Sequence, residues 1–387
     1  MIDGLASNNA INTVRALGCA GTNWQGVNMR NMTSKSPSRI EIAKALRQFK
    51  ALTTTDQYKR ISTIVAESMT DTPDDAVEGL SQEDEFVMLC VLMGTSTHLA
   101  PLEQRPSIAT GIMAPDLLAR FQPPYDDHSG TRYPTSRHGG YRCLVEVKST
   151  TNAKFKIGGQ PLDRLRQFAK SFDLPLVFAV RFVGFPQAAL WSIVEDANPN
   201  RNSLTVGVGD LVTGLRPVIW NDHGYMLIPG TYLQVTYDSN TQDEGVTNPR
   251  YGTQVALQIV THQSRFAVSK QDITTAGAFF ESYGLKETQV QSKGTKTNVI
   301  YVPQQTMLTV ADLIFAMNRL ARDDDGNLVH EPGRALRELA DGHSPLLIKR
   351  QLVEFVANRM CQIGALVLMG LGNPGDGLKI WHGTGGR

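Results

Sequence analysis

The stretch Cys143-Leu144-Val145-Glu146-Val147-Lys148-Ser149-Thr150 constrains this chain most. Its apolar, β-branched run reads as a buried strand. Side chains alternate across a strand, so Glu146 and Lys148 share one face while Val145 and Val147 share the other. A carboxylate and an ammonium inside an apolar strand are costly unless each has a partner. The strand therefore marks both a core element and the first place to look for chemistry.

The flanking residues extend the pattern. Upstream, Ile112 to Phe121 reads as a strand running through Pro115-Asp116. Downstream, Gln160 to Ala169 reads as a helix, Leu176 to Phe182 as a buried strand, and Trp191 closes another. Pro115-Asp116 followed by Glu146-Val147-Lys148 resembles the PD-(D/E)XK motif of the restriction-endonuclease-like nucleases. The order of strand, polar loop, helix, strand and Trp is similar to archaeal Holliday-junction resolvases over roughly residues 81–195. The acid-x-base triplet alone is a common pattern; the ordered surroundings are what make it specific.

The resemblance implies an α/β fold, a restriction-endonuclease-like core with a central mixed sheet flanked by helices. It implies a metal-dependent endonuclease acting on DNA, with Mg²⁺ as the cofactor and Mn²⁺ able to substitute. Asp116 and Glu146 would be metal ligands, with the Val147 carbonyl as a third. Lys148 would hold or help deprotonate the attacking water. The family also carries a glutamate on its first core helix, for which Glu85 is the best match and Glu83 the second, and a Gln near Gln160. Relatives often act as dimers, so a homodimer or higher homo-oligomer is implied too. Residues of this type suit the chemistry, because Mg²⁺ prefers oxygen ligands and keeps several waters. A bound metal also lowers the pKa of its water.

Charge is uneven along the 387 residues, although the formal net charge is only +1. Ile61 to Gln104 holds no Lys or Arg and nine Asp or Glu. Arg132 to Arg181 holds ten Lys or Arg against three acids, a balance of +7. A nucleic-acid surface must therefore be local. The candidates are Arg132, Arg137, Lys154, Lys156, Arg164 and Arg166. Arg132 and Arg137 belong to a polar insertion, 122–141, which would overhang the site if the two strands beside it form a hairpin. The plain alternative for these residues is a solvated face. For Asp116, Glu146 and Lys148 the alternative is a buried ion network without catalysis.

Elsewhere the sequence is less specific. Residues 1–80 form a helical N-terminal extension: Ser36-Pro37 suits a helix start, and Ile40, Ala43, Leu46 and Phe49 repeat at helical spacing. A second helix follows near Gln57–Met69, then an acidic loop, Thr70 to Leu80, with Ser81 as the next cap. The nuclease core occupies 81–200. Alternating runs between Gly and Asn turns make 201–303 a β-rich accessory region, and 304–387 a helical C-terminal region, including a helix over Pro345 to Leu368. Gly370 to Gly375 matches a dinucleotide-binding glycine pattern but follows a helix instead of opening a βαβ unit. Asp323-Asp324-Asp325-Gly326 fails the calcium-loop pattern. Four scattered cysteines, no H-x-x-x-H pair and no run near the ~20 apolar residues that span a bilayer predict a cytoplasmic protein without zinc chemistry or membrane insertion. A DNA endonuclease, in restriction or defence against foreign DNA, is the first functional expectation. A structure-selective junction or repair nuclease is the second, and a catalytically silent DNA-binding or assembly subunit is the third.

Overall fold

The computed structural model describes residues 39–67, 74–102, 112–122, 140–185, 188–198, 200–241, 246–320, 331–343, 347–371 and 379–380. The chain starts with helices α1 (Arg39–Leu52), α2 (Thr55–Glu67) and α3 (Asp74–Met93). Strands β1 (Ser96–Pro101), β2 (Leu117–Phe121), β3 (Tyr141–Thr150) and β4 (Lys154–Gly158) follow. Helix α4 (Gly159–Ser171) then leads to β5 (Leu176–Phe182), β6 (Trp191–Glu195) and β7 (Ser203–Gly207).

Five of these strands make a mixed sheet in the order β1-β2-β3-β5-β6. The β3–β5 pair is parallel and the others are antiparallel. Parallel neighbours need a crossover, which α4 supplies. Both faces of the sheet are covered, and β5 is buried at all seven positions, as expected of a strand between two layers. Cys143, Val145 and Val147 pack with Phe86, Leu89 and Trp191 in the larger core. Leu144 packs on the other side with Leu162, Leu165, Phe178 and Val180. The alternation read from the β3 sequence thus divides α3 from α4, and each fully buried aliphatic side chain contributes about 1.5–3 kcal/mol.

A second, six-stranded sheet contains Tyr232–Asp238, Gly252–Val260, Leu285–Lys293 and Lys296–Pro303. A four-stranded sheet is built from Met307–Thr309, His223–Leu227, Leu366–Gly370 and Lys379–Ile380. One hydrophobic cluster runs from α3 through β6 into both. Phe86, Trp191 and Trp220 form an aromatic triangle, with the Phe86 ring centroid 5.4 and 5.7 Å from the two tryptophans and these 6.5 Å from each other. Arg216 is fully buried at this junction, where it meets Asp222 at 2.6 Å, the Trp191 carbonyl at 3.2 Å and Thr309 Oγ1 at 2.8 Å.

Several boundaries differ from the sequence reading; Trp191 opens β6 instead of closing a strand. Helix α3 begins at Asp74, so residues 74–80 are helical, not loop. Gly79 costs a helix about 1 kcal/mol, and the buried turns from Asp84 to Met93 outweigh it. Strand β2 begins only at Leu117, which leaves Pro115 and Asp116 just ahead of it. The helix expected over Pro345 to Leu368 is shorter, Arg350–Gln362, and Leu366–Gly370 is a strand paired with His223–Leu227. Gly364, at φ 74°, takes the left-handed conformation that stops a helix. The apolar residues beyond it then complete a sheet. Among the described helices none is long and apolar enough to cross a membrane.

Candidate active site

The register of β2 against β3 builds the site. Leu117 pairs with Val145 and is the last partner on that end of β2, so Asp116 and Pro115 lie just beyond the paired register, beside Glu146 and Val147 on β3. Leu144 donates its N–H to Pro175 on the β5 side, so Val145 and Val147 turn their backbone groups toward β2. Proline has no N–H to offer Val147. The paired strand stops short of Val147, and the Val147 N–H donates instead to the Asp116 carboxylate, at 2.7 Å from Oδ2. The Val147 carbonyl is left with the Lys148 ammonium, 3.1 Å away.

Lys148 Nζ also lies 2.6 Å from Glu146 Oε1 and 3.9 Å from Asp116 Oδ2. The ammonium thus sits among three oxygens supplied by Asp116, Glu146 and Val147. Its side chain is 35% exposed, whereas those of Asp116 and Glu146 are 4% and 3%. Burial pushes the Glu146 carboxyl up to about 7, with Lys148 opposing the shift and Asp116 adding to it. Burial alone would lower the Lys148 pKa; the carboxylates of Glu146 and Asp116 outweigh it and the pKa is raised.

The same cluster fits a hard divalent cation. Glu146 Oε2 is buried and has no hydrogen-bond partner, a costly state that a cation would relieve. The donor set is two carboxylates and a carbonyl, all oxygen, as magnesium prefers. Among the described residues no three His, Cys, Asp or Glu side chains gather as a metal-holding group, so most of the coordination would be water.

Glu85 is not part of this cluster. Its Oε1 is 2.8 Å from Arg181 Nε and accepts the Trp191 indole N–H at 2.8 Å, on the face of the sheet opposite Glu146. The spacing explains the direction. Glu85 shares the helical stripe of Leu89 and Leu92, three to four residues apart, so it is carried into the core. Glu83, the second choice from sequence, is the α3 acid whose charge reaches Glu146 and Lys148. It is also 2.9 Å from Arg47 of α1, a contact that no local sequence signal announced.

The remaining candidates are more dispersed. Gln160 is exposed in the first turn of α4, and among the described residues no hydrogen bond joins it to Asp116, Glu146 or Lys148. Lys154 and Lys156 are exposed on β4, and Arg164 is exposed on α4. Arg166 is only 13% exposed and differs from its neighbour. It holds both Asp196 oxygens, at 2.6 and 2.9 Å, and the Arg201 carbonyl at 2.7 Å. Its guanidinium braces α4 against the turn after β6. Arg132 and Arg137 lie outside the described residues.

No family model and no curated protein matches this chain. Among solved structures it is similar to the 1.6 Å structure of Archaeoglobus fulgidus Hjc, a Holliday junction resolvase from an archaeal hyperthermophile. The two are 14% identical, the match covers 37% of this chain and 95% of that one, and the TM-score is 0.24. The chemistry of the site stands on this chain's own residues.

Proposed function

We propose that this chain is a metal-dependent DNA endonuclease of the PD-(D/E)XK type. The observation that carries the reading is the junction of Asp116, Glu146, the Val147 carbonyl and Lys148 at the point where the β2–β3 ladder stops. Asp116, Glu146 and the Val147 carbonyl would hold Mg²⁺ or Mn²⁺. When bound, the metal supplies charge stabilisation on the phosphoryl oxygens and acidifies its water. The raised pKa of Lys148 makes it a hydrogen-bond donor, suited to holding the attacking water or a phosphoryl oxygen. The Val147 N–H fixes the Asp116 carboxylate, so that ligand is oriented before any substrate arrives. The charge of Glu83 on α3 acts on Glu146 and Lys148 from outside the cluster.

Restriction or defence against foreign DNA is the role we favour, with a junction or repair substrate as the alternative. A cleavage assay on supercoiled plasmid, linear duplex and a four-way junction, with Mg²⁺, Mn²⁺ or EDTA, tests both. Wild type should cut only with metal, and Asp116→Ala and Lys148→Ala should each lower the rate about a hundredfold or more. Preference for the junction would select the repair reading. A second reading, a silent nuclease fold, has one observation in its favour: Lys148 already pairs with Glu146 at 2.6 Å and reaches Asp116 at 3.9 Å without a metal. DNA binding unaffected by EDTA or by Lys148→Ala, with no cleavage of any substrate, would establish that reading and remove the first.

A further inference from the structure

A cleft of about 210 Å³ lies between α1, the middle of α3 and the helix Pro332–Ala340. Four cations line it, Arg47, Lys50, Arg334 and Arg337, against two carboxylates, Asp84 and Glu331. Two of the cations are held: Arg47 by Glu83 and Asp84, and Lys50 by Glu331 at 3.1 Å. The other two are exposed. Arg334 reaches the Thr53 carbonyl at 3.2 Å, and Arg337 lies 3.7 Å from Asp341; exposed contacts of this kind contribute little.

Arg334 and Arg337 are three residues apart on one helix, so they share a face. Two guanidinium forks on one face match the oxygens of a phosphate. The size of the cleft narrows the choice further. Pockets for whole small molecules run to about 300–1,000 Å³, so 210 Å³ suits a phosphate with its sugar. Gly333 packs closely on α3: a Cβ there would meet Asp84 Oδ2 at 2.6 Å, so a larger residue would have to displace the Asp84 carboxylate. Arg47, which lines the cleft, also holds Glu83, the α3 acid whose charge acts on Glu146 and Lys148.

We propose that this cleft binds a backbone phosphate of the nucleic-acid strand, with Arg334 and Arg337 as its ligands. The proposal rests on the nuclease reading and extends it to an element about 200 residues further along the chain, Pro332–Ala340 compared with β2 and β3. The test is the affinity of the full chain for a labelled linear DNA duplex in EDTA, measured from 50 to 200 mM salt. R334A/R337A should bind about tenfold more weakly at the low end. Its slope of log K against log salt should be shallower by about 0.9, the loss of one phosphate contact. K286A/K293A, which removes two exposed charges from Leu285–Lys293, should change neither.

Equal weakening in both double variants, no weakening in R334A/R337A, or no duplex binding by wild type would overturn the proposal. A free nucleotide or free phosphate is the other source of the same chemistry. ATP or inorganic phosphate that stabilises wild type but not R334A/R337A, with duplex affinity the same in both, would make this a small-ligand site and also overturn it. Duplex binding that depends on Arg334 and Arg337, without cleavage under any metal, would remove the nuclease reading and keep the cleft.

Discussion

At the residue scale the controlling feature is one buried carboxylate. Glu146 is 2% exposed and its carboxyl is pushed up from 4.5 to about 7. A group with a raised folded pKa retains its proton when the unfolded chain has already lost it. Stability should therefore fall as pH rises from about 4.5 to about 7, by on the order of 3 kcal/mol. Glu146→Gln removes the proton and should flatten that slope; the measurement is urea unfolding across pH 4.5 to 8. Matching pH profiles for wild type and variant would exclude Glu146 as the source. Metal binding needs the deprotonated form, so Mg²⁺ should narrow the stability difference above pH 7.

At the scale of elements, polar side chains decide how the helices seat. Glu85 fixes the rotation of α3 by meeting Arg181 and Trp191 in the core. Glu85→Ala should leave a buried guanidinium unpaired and destabilise the chain by about 3–5 kcal/mol. Glu85→Gln, which keeps an acceptor for the indole, should cost less. Chemical denaturation reads both, and equal stability of Glu85→Ala and wild type would refute the assignment. Arg166 does for α4 what Glu85 does for α3. Arg166→Ala should lower stability by about 1–3 kcal/mol with duplex affinity unchanged, whereas a phosphate ligand would show the opposite pattern.

At the scale of the whole molecule, Arg216 ties the mixed sheet to the C-terminal sheet. It and Asp222 are wholly buried, and its partners come from β6, from Asp222 and from Thr309 at the head of helix Val310–Met317. Removing it should leave Asp222 as an uncompensated charge and cost about 3–5 kcal/mol. Arg216→Ala should accordingly lower the unfolding midpoint more than any single exposed Arg→Ala on α4 or on Pro332–Ala340. A smaller effect would mean that the aromatic triangle of Phe86, Trp191 and Trp220 joins these regions without it.

The sequence by itself determined the strand, its two faces and the helix–strand order around it. Those depend on alternation and on spacing within single elements, which one chain states directly. Glu146 and Lys148 share a face for the same reason, whereas Asp116 was reached only through the resemblance to the PD-(D/E)XK motif. The tertiary structure alone decided which acid of α3 meets the site, because Glu83 and Glu85 differ by the rotation of a helix whose buried stripe depends on Arg181 and Trp191. It alone decided that Arg166 is a brace and that Arg334 and Arg337 stand beside α1. Each of these pairs residues far apart in sequence, and no local preference of either partner encodes the distance between them.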